Sequence, residues 1–322
     1  MARAITVAAG QLGPIGRTET REGVLARMLA LLEQAARQQV ELMVFPELAL
    51  TPFFPRWAIE DEAELAAFYE AQVPGPGTQA LFEAARRLRV GVQLGYAEQR
   101  REGGRTRRFN STVLVDPDGR LVGRYRKVHL PGDREFRAGA AYQHLEKRYF
   151  ETGDGGFQAW RAFGGVVGSL ICNDRRWPEA WRVLGLQGVE LVLIGYNTPL
   201  HNPEAPELDR LVPFHHALVI QSGCYQNGTW AVAAAKAGVE EGQAMLGDSM
   251  IVSPQGEVVA RAKTVGDELV VARIDFDATA PVKTTIFDFA AHREPQHYGL
   301  IVQTRGAVPP GDTERGIGLV EG

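Results

Sequence analysis

The chain has 322 residues, 45% hydrophobic and 23% charged, which excludes a disordered or fibrous protein and allows one large domain or about two. Such a length buries enough surface to fold without a disulfide or metal staple. With 35 lysines and arginines against 39 acids, the net charge of −4 argues against a general affinity for nucleic acid or anionic membrane. No apolar stretch approaches the roughly 20 residues that span a bilayer. The opening Met1–Val7 reads as a strand and not a signal peptide. Two cysteines, Cys172 and Cys224, exclude a disulfide framework and make the reducing cytoplasm the expected compartment.

In chain order, Ala4 to Ala9 reads as a buried strand. From Glu19 to Gln39, Val24, Leu25, Met28, Leu31, Leu32 and Ala35 recur at helical steps, with Glu19 and Glu22 at the N-terminal end where the helix dipole favours them. Leu42 to Phe45 is a short strand stopped by Pro46. Helices over Glu62–Ala71 and Thr78–Leu88 precede a strand from Val90 to Ala97. A long apolar strand ends at Cys172, followed by a helix from Pro178 to Leu186, a strand from Leu191 to Tyr196, and a helix marked by Leu208, Leu211, Val212, His215, Leu218 and Val219. This order indicates an α/β protein. The five arginines between Arg100 and Arg108 flank Gly103-Gly104 and read as a solvated hairpin. From Gln303 to Gly322 the chain is rich in glycine and proline, a tail beyond a domain spanning 1–302.

Two echoes point to related halves. Gln38-Gln39-Val40-Glu41-Leu42 leads into a strand as Gln187-Gly188-Val189-Glu190-Leu191 does. Val115–Val122 and Val252–Val259 both read as strand, Pro-x-Gly turn, strand. If the halves are real, their sheets pack face to face with helices outside. Chance likeness between common turns is the other explanation.

Phosphate loops, dinucleotide fingerprints and His-Glu-x-x-His are absent, and two distant cysteines make no zinc site. The nearest approaches to a metal site are His215-His216 and His292 with His297. Adjacent helical histidines point about 100° apart, so no metal or cofactor is expected. Three strand ends carry chemistry instead: Glu47 after Leu42–Phe45, Lys127 after Leu121–Arg126, and Cys172 after Val166–Ile171. Strand ends form the ligand crevice of α/β sheets. A cysteine there, beside positive charge, tends toward a reactive thiolate. A partly desolvated carboxylate makes a proton acceptor near neutrality, and an ammonium steadies the oxyanion of a tetrahedral intermediate. Together they are the parts for cleaving a carbon–nitrogen bond through a covalent intermediate. Each also has a plain structural role open to it, a core thiol or a Glu47–Lys127 ion pair, and spacing alone does not join them.

The segments Phe45–Leu48, Tyr125–Leu130 and Ile171–Glu179 resemble the three signature blocks of the nitrilase superfamily of carbon–nitrogen hydrolases. Phe53–Trp57, His144–Phe150, Tyr196–Pro199 and His292–Leu300 look like the N-carbamoyl-D-amino acid amidohydrolases within it. The resemblance runs from about residue 4 to 302. It implies a four-layer α-β-β-α sandwich, a homodimer or homotetramer, and hydrolysis of N-carbamoyl-D-amino acids. By resemblance Glu47 is the base, Lys127 the transition-state stabiliser, Cys172 the nucleophile and Glu146 a second acid. An N-carbamoyl amino acid carries a carboxylate, for which a guanidinium is the natural partner. Arg175 and Arg176 follow the nucleophile closely, and one of them is expected to hold it. Asn173 offers its N–H to the oxyanion, while His129, His144 and Asn197 are candidates for the ureido group or, for Asn197, the carboxylate. The rivals are an aliphatic amidase or β-ureidopropionase, a papain-like hydrolase with His215 or His129 as base, and an inactive scaffold of the same fold.

Overall fold

The computed structural model describes residues 3–140, 142–307 and 309. Twelve strands, β1 (Ala4–Gln11), β2 (Leu42–Val44), β3 (Gly91–Glu102), β4 (Arg105–Val115), β5 (Leu121–Arg126), β6 (Ala159–Ala162), β7 (Gly165–Ile171), β8 (Leu191–Tyr196), β9 (Trp230–Ala235), β10 (Met250–Val252), β11 (Val258–Arg261) and β12 (Glu268–Asp275), build two main sheets. The first runs β12-β1-β2-β3-β4-β5, with Tyr69–Glu70 added beside β3; the second runs β11-β10-β9-β8-β7-β6.

The two orders match. Taken from β12 and from β6 respectively, each sheet has one antiparallel pair, two parallel pairs and two antiparallel pairs. Both echoes of the sequence fall on equivalent strands, the first on β2 and β8, the second on the hairpins β4–β5 and β10–β11.

Alternation along the strands makes the layers. Val7, Ala9, Leu42 and Val44 of the first sheet face Leu191, Leu193, Val232 and Ala234 of the second in one buried cluster. Ala8 and Met43, pointing the other way, meet Val24, Met28 and Leu31 of helix α1 (Arg21–Arg37) and Leu81 of α2 (Gln79–Leu88). On the far side, Val192 and Ile194 meet Trp181 and Leu184 of α3 (Pro178–Leu186) and Ile220 of α4 (Val212–Asn227). The period of two sets opposite faces of each strand against different layers, giving the expected α-β-β-α sandwich. Each fully buried valine or leucine contributes about 1.5–3 kcal/mol.

Most elements lie where patterning puts them. Thr20 caps α1, its hydroxyl accepting from Gly23 N. The helix expected around Leu208 begins at Val212, preceded by a 3-10 segment from Pro206 to Leu211. The arginine-rich hairpin is the β3–β4 turn, with Gly103 and Gly104 both at positive φ. By its internal contacts the chain divides into two units, Met1–Phe287 and Asp288–Gly322. In the second unit Asp288 caps a helical turn, Phe289–His292. Much of the expected tail, residue 308 and residues 310–322, lies outside the described residues.

The segment after β2 is gripped from both sheets. A Cβ on Gly95 would lie 2.3 Å from Pro46 O, and one on Gly195 would lie 2.7 Å from Glu47 N. Gly95→Ala and Gly195→Ala should therefore each lose about 1–3 kcal/mol in denaturant unfolding, as over-packing does. Both should also lose turnover by displacing Glu47, whereas Gly266→Ala, with nothing within 4 Å, should match wild type in both assays.

Candidate active site

Glu47 sits two residues past Phe45, whose N–H continues the sheet by donating to Gln93 O (2.9 Å). Its carboxylate is buried and held at both oxygens. Oε1 accepts from Lys127 Nζ and from Asn110 Nδ2, each at 2.7 Å, and Oε2 accepts from the Asn197 N–H at 3.0 Å. Asn197 Nδ2 also donates to Glu47 O (3.0 Å). Lys127 follows β5 and keeps the pairing going, its N–H donating to Asn110 O (2.8 Å). Its ammonium, wholly buried, also donates to Glu146 Oε2 at 2.7 Å. Glu146 opens a helical turn, Glu146–Tyr149, and its Oε1 lies 3.2 Å from His144 Nε2.

Burial alone would neutralise this lysine. Glu146 and Glu47 overrule it and hold the ammonium well above the ordinary lysine range. Burial likewise works against the Glu146 carboxylate, yet Lys127 and His144 keep it below the usual range. Lys127 is therefore a donor, not a base, at any pH near neutrality.

Strand β7 ends at Ile171, and Cys172 turns the chain with φ of 46°, a left-handed conformation costly for a residue with a Cβ. A single 3-10 turn, Cys172–Arg176, follows. Buried Asp174 fastens it. One carboxylate oxygen accepts from Ile171 N (3.2 Å) and Tyr125 Oη (2.7 Å), the other from His129 N (2.8 Å). Asp174 thus ties the turn carrying the thiol to the strand carrying the ammonium. The Cys172 thiol donates to Asn197 O at 3.3 Å. Asn197 accordingly holds the carboxylate through its N–H and the thiol through its carbonyl. Burial pushes the Cys172 thiol up, Glu47 adds to that, and Lys127 and Arg175 pull it back only in part. The expected pull of nearby positive charge toward a thiolate is therefore opposed here by burial and by Glu47.

Cys172 lines a cavity of about 800 Å³, the size of a small-molecule site, together with Asn173, Arg176, Asn197, His144 and His215. Glu47, Lys127 and Glu146 lie behind the sulfur. Two of the expected substrate contacts do not line this cavity. Arg175 is turned inward and only 1% exposed, so of the adjacent arginines only Arg176 is on the wall. His129 has its Nδ1 2.9 Å from Asp174 Oδ1 and its ring stacked between Trp177 and Phe157. Asn197 lines the cavity but spends its backbone and Nδ2 on Glu47 and Cys172. The papain-like arrangement is not formed: a carboxylate, not an imidazole, shares Asn197 with the thiol. Sequence reasoning missed Asn110 and Asp174. The signal for Asn110 was faint, a polar run Asn110-Ser111-Thr112 between Phe109 and the apolar end of β4; Asp174 was visible in the Cys172–Arg176 block but had no partner to be read against. Cys224 is buried in the outer core. Among the described residues no cluster of histidine, cysteine and acids could hold a metal.

Residues 6–284 match the carbon–nitrogen hydrolase family model, and the chain belongs to that family. It is 28% identical to a citrullinase of Francisella tularensis, over 87% of this chain and 92% of that one. It is 27% identical to an N-carbamoylputrescine amidase of Oryza sativa, over 86% and 88% respectively. A carbon–nitrogen hydrolase structure from Helicobacter pylori shares the fold, with a TM-score of 0.80 at 23% identity over 94% of this chain and 99% of that one.

Replacing Glu146 by glutamine leaves the buried ammonium with one carboxylate, and should cost about 3 kcal/mol at pH 7. The sign of its pH dependence follows from the lowered carboxyl. That stabilisation is complete above the ordinary value of 4.5 and is lost as pH falls through the lower folded value. Urea unfolding should therefore show a gap between wild type and Glu146→Gln that closes in acid.

Proposed function

We propose that the protein hydrolyses the ureido carbon–nitrogen bond of N-carbamoyl amino acids, the D-enantiomers above all. The observation that carries this is Arg176. Among the described residues its guanidinium makes no hydrogen bond or ion pair, and it stands on the same cavity wall as Cys172, placed to receive a carboxylate while the sulfur faces the ureido carbon. Two relatives with ureido-type names, the citrullinase and the N-carbamoylputrescine amidase, support the bond cleaved. The D preference rests on the sequence blocks that resemble N-carbamoyl-D-amino acid amidohydrolases. Three of them meet around the site: Phe53 packs edge-on to His144, and Tyr196–Pro199 holds Asn197.

Glu47 takes the thiol proton and Sγ attacks the ureido carbon. The Lys127 ammonium and the Asn173 N–H hold the oxyanion, Glu47 returns the proton to the departing nitrogen, and an S-acyl enzyme remains. Water activated by the same carboxylate then cleaves that bond. The thiol reforms, and the released carbamate breaks down, so that the products are the amino acid, ammonia and carbon dioxide. Glu146 keeps Lys127 charged throughout. The enzyme works without a cofactor, in the cytoplasm, where Cys172 and Cys224 stay reduced. It self-associates: Val183 and Leu186 of α3 and Phe214, Leu218 and Tyr225 of α4 are exposed. Sedimentation should show a dimer or tetramer.

Assays of N-carbamoyl-D-amino acids, their L-enantiomers, N-carbamoyl-β-alanine, N-carbamoylputrescine and simple amides test the reading. Cys172→Ala should leave less than about a thousandth of turnover. Arg176→Met should raise KM for carboxylated substrates about tenfold or more, a charged hydrogen bond's worth, and spare uncharged amides. A wild-type preference for uncharged amides would refute the carboxylate assignment.

A further inference from the structure

Asn110 holds two members of the site at once. It lies in the middle of β4, opposite Ala97 of β3, and its backbone carbonyl accepts the Lys127 N–H at 2.8 Å. The alternation of the strand turns its neighbours away: Ser111 Oγ donates to Glu98 Oε2 at 2.7 Å, on the face where Arg126 covers the Phe109 ring. Asn110 itself is fully buried, and its Nδ2 donates to Glu47 Oε1 at 2.7 Å. Its Oδ1 is buried and finds no hydrogen-bond partner among the described residues. A buried acceptor left unpaired is destabilising, and an apolar residue of similar shape would avoid that cost. Stability therefore gives no reason for an amide here, and the donor does. That donor makes the two oxygens of Glu47 unequal. Oε1 accepts from both Lys127 Nζ and Asn110 Nδ2, which occupies its two lone pairs. Oε2 accepts only the Asn197 N–H among the described residues, and so keeps a lone pair open. Asn197 O in turn accepts from the Cys172 thiol, so the open oxygen and the thiol share one residue.

We infer that Asn110 is a positioning residue for the base: by filling the second lone pair of Glu47 Oε1 it fixes the rotation of the carboxylate and reserves Oε2 for the proton exchanged with Cys172. An ammonium turns freely about its own axis, so Lys127 alone sets the distance of Oε1 and not the plane of the carboxylate. The planar amide, carried on a sheet strand, sets that plane. In the reaction proposed above, the thiol proton passes to Oε2 while the sulfur electron pair forms the bond to the ureido carbon and the carbonyl π pair moves to oxygen. The same proton leaves Oε2 for the departing nitrogen, which keeps the electron pair of the broken carbon–nitrogen bond. Oε1 keeps both of its hydrogen bonds throughout. With Asn110 removed, Oε1 has an open lone pair as well, and a proton taken there lies against the Lys127 ammonium and must move again before it reaches nitrogen. The charged and titratable groups that sense Glu47 are Lys127, Cys172, Arg176 and Lys236, with Glu146 and His144 beyond Lys127. Exchanging residue 110 alters none of them.

This inference rests on Glu47 being the base, so the test separates the two. Turnover of the full-length enzyme is followed from about pH 5 to 9 on the substrate it cleaves best among those assayed above, with urea unfolding in parallel. Asn110→Leu should unfold at about the wild-type urea concentration. It should lower kcat about thirtyfold, part of the roughly hundredfold or more that a positioned base supplies, while KM stays within about threefold. Asn110→Asp keeps the shape and places a second carboxyl at hydrogen-bond distance from the first. Two such groups do not both ionise, so the pair retains one proton, and that proton keeps Oε1 occupied. Relative to wild type at the same pH, its kcat should therefore stand within about fivefold near pH 5, and should fall about tenfold further as the pH rises and the shared proton is lost. A packing role alone predicts instead a constant ratio to wild type across the whole range. Should Asn110→Leu fail to fold, the Asn110→Asp profile decides by itself. A kcat within about twofold of wild type in Asn110→Leu, or a flat ratio in Asn110→Asp, would overturn the inference. Glu47→Gln reads the assignment beneath it: turnover should drop to less than about a hundredth, and a variant retaining more than about a tenth would sink Glu47 as the base whatever Asn110 does.

Discussion

A wholly buried ammonium between two carboxylates sets the terms for everything else in the site. Lys127 lies 2.7 Å from both Glu47 and Glu146. Three ions in dry surroundings are tolerable only because each is paired, and Glu47 and Glu146 have further partners in Asn110, Asn197 and His144. The cluster carries one net negative charge when all three are ionised. A second negative charge on sulfur beside it is unfavourable, and accordingly the Cys172 thiol is held above its ordinary range. Passing the thiol proton to Glu47 avoids that cost: the negative charge moves from oxygen to sulfur, and the total stays the same. In the proposed reaction, activation is a charge relocation across the span of one residue, Asn197, whose N–H and carbonyl touch its two ends.

The fold delivers this span through its two-halves plan. Counted from matching edges, β2 of the first sheet corresponds to β8 of the second. Glu47 lies shortly after β2 and Asn197 directly after β8, so the two residues that hydrogen-bond across the sandwich come from corresponding strand ends of the halves. Such an approach needs a thin interface. Gly95 on β3 and Gly195 on β8 provide it, since a Cβ at either would lie within 3 Å of the Pro46–Glu47 backbone. Lys127 and Cys172 come from neighbouring layers of the same seam, joined by Asp174, which receives hydrogen bonds from both chain segments.

What the sequence showed, and what it hid, divides along geometry. Strand ends announce themselves, because an apolar run closing on an acid, an amine or a thiol is visible without knowing where the run goes. Glu47, Lys127 and Cys172 were legible for that reason, and the echoes at residues 38–42 and 187–191 exposed the pairing of the halves. The roles of Arg175 and Arg176 were not separable. In a 3-10 turn, with three residues to the turn, the third residue after Cys172 eclipses it, and the fourth is rotated by about a third of a turn. Arg175 therefore lies beneath the nucleophile and Arg176 on the cavity wall. The surroundings of His129 were hidden for a related reason: its neighbours Trp177 and Phe157 are distant in sequence and meet it only in the fold. The thiol's acidity also escaped, since nearby cations suggest a thiolate, while burial and Glu47, which dominate, depend on depth.

A second buried ion cluster holds the irregular chain that follows Glu47. Beyond Glu47 the backbone runs through Thr51–Trp57 with a 3-10 turn and no strand, a poor support for a site that depends on tenths of an ångström. Lys236, just past β9, donates to Thr51 O, and Glu240 accepts from Phe53 N, from Ile15 N, from Arg56 and from Lys236. Burial works to discharge Lys236, and Glu240 opposes it. Pinned in this way, Phe53 sets its ring edge against His144, and Pro55 O accepts the Leu145 N–H at the start of the turn that carries Glu146. The loop and the second acid are thereby one unit. Glu146 thus depends on a loop fixed by Glu240, and Glu47 on the ammonium that Glu146 keeps charged. Two sets of buried charges, linked through the Phe53–Pro55 segment, thereby hold the site.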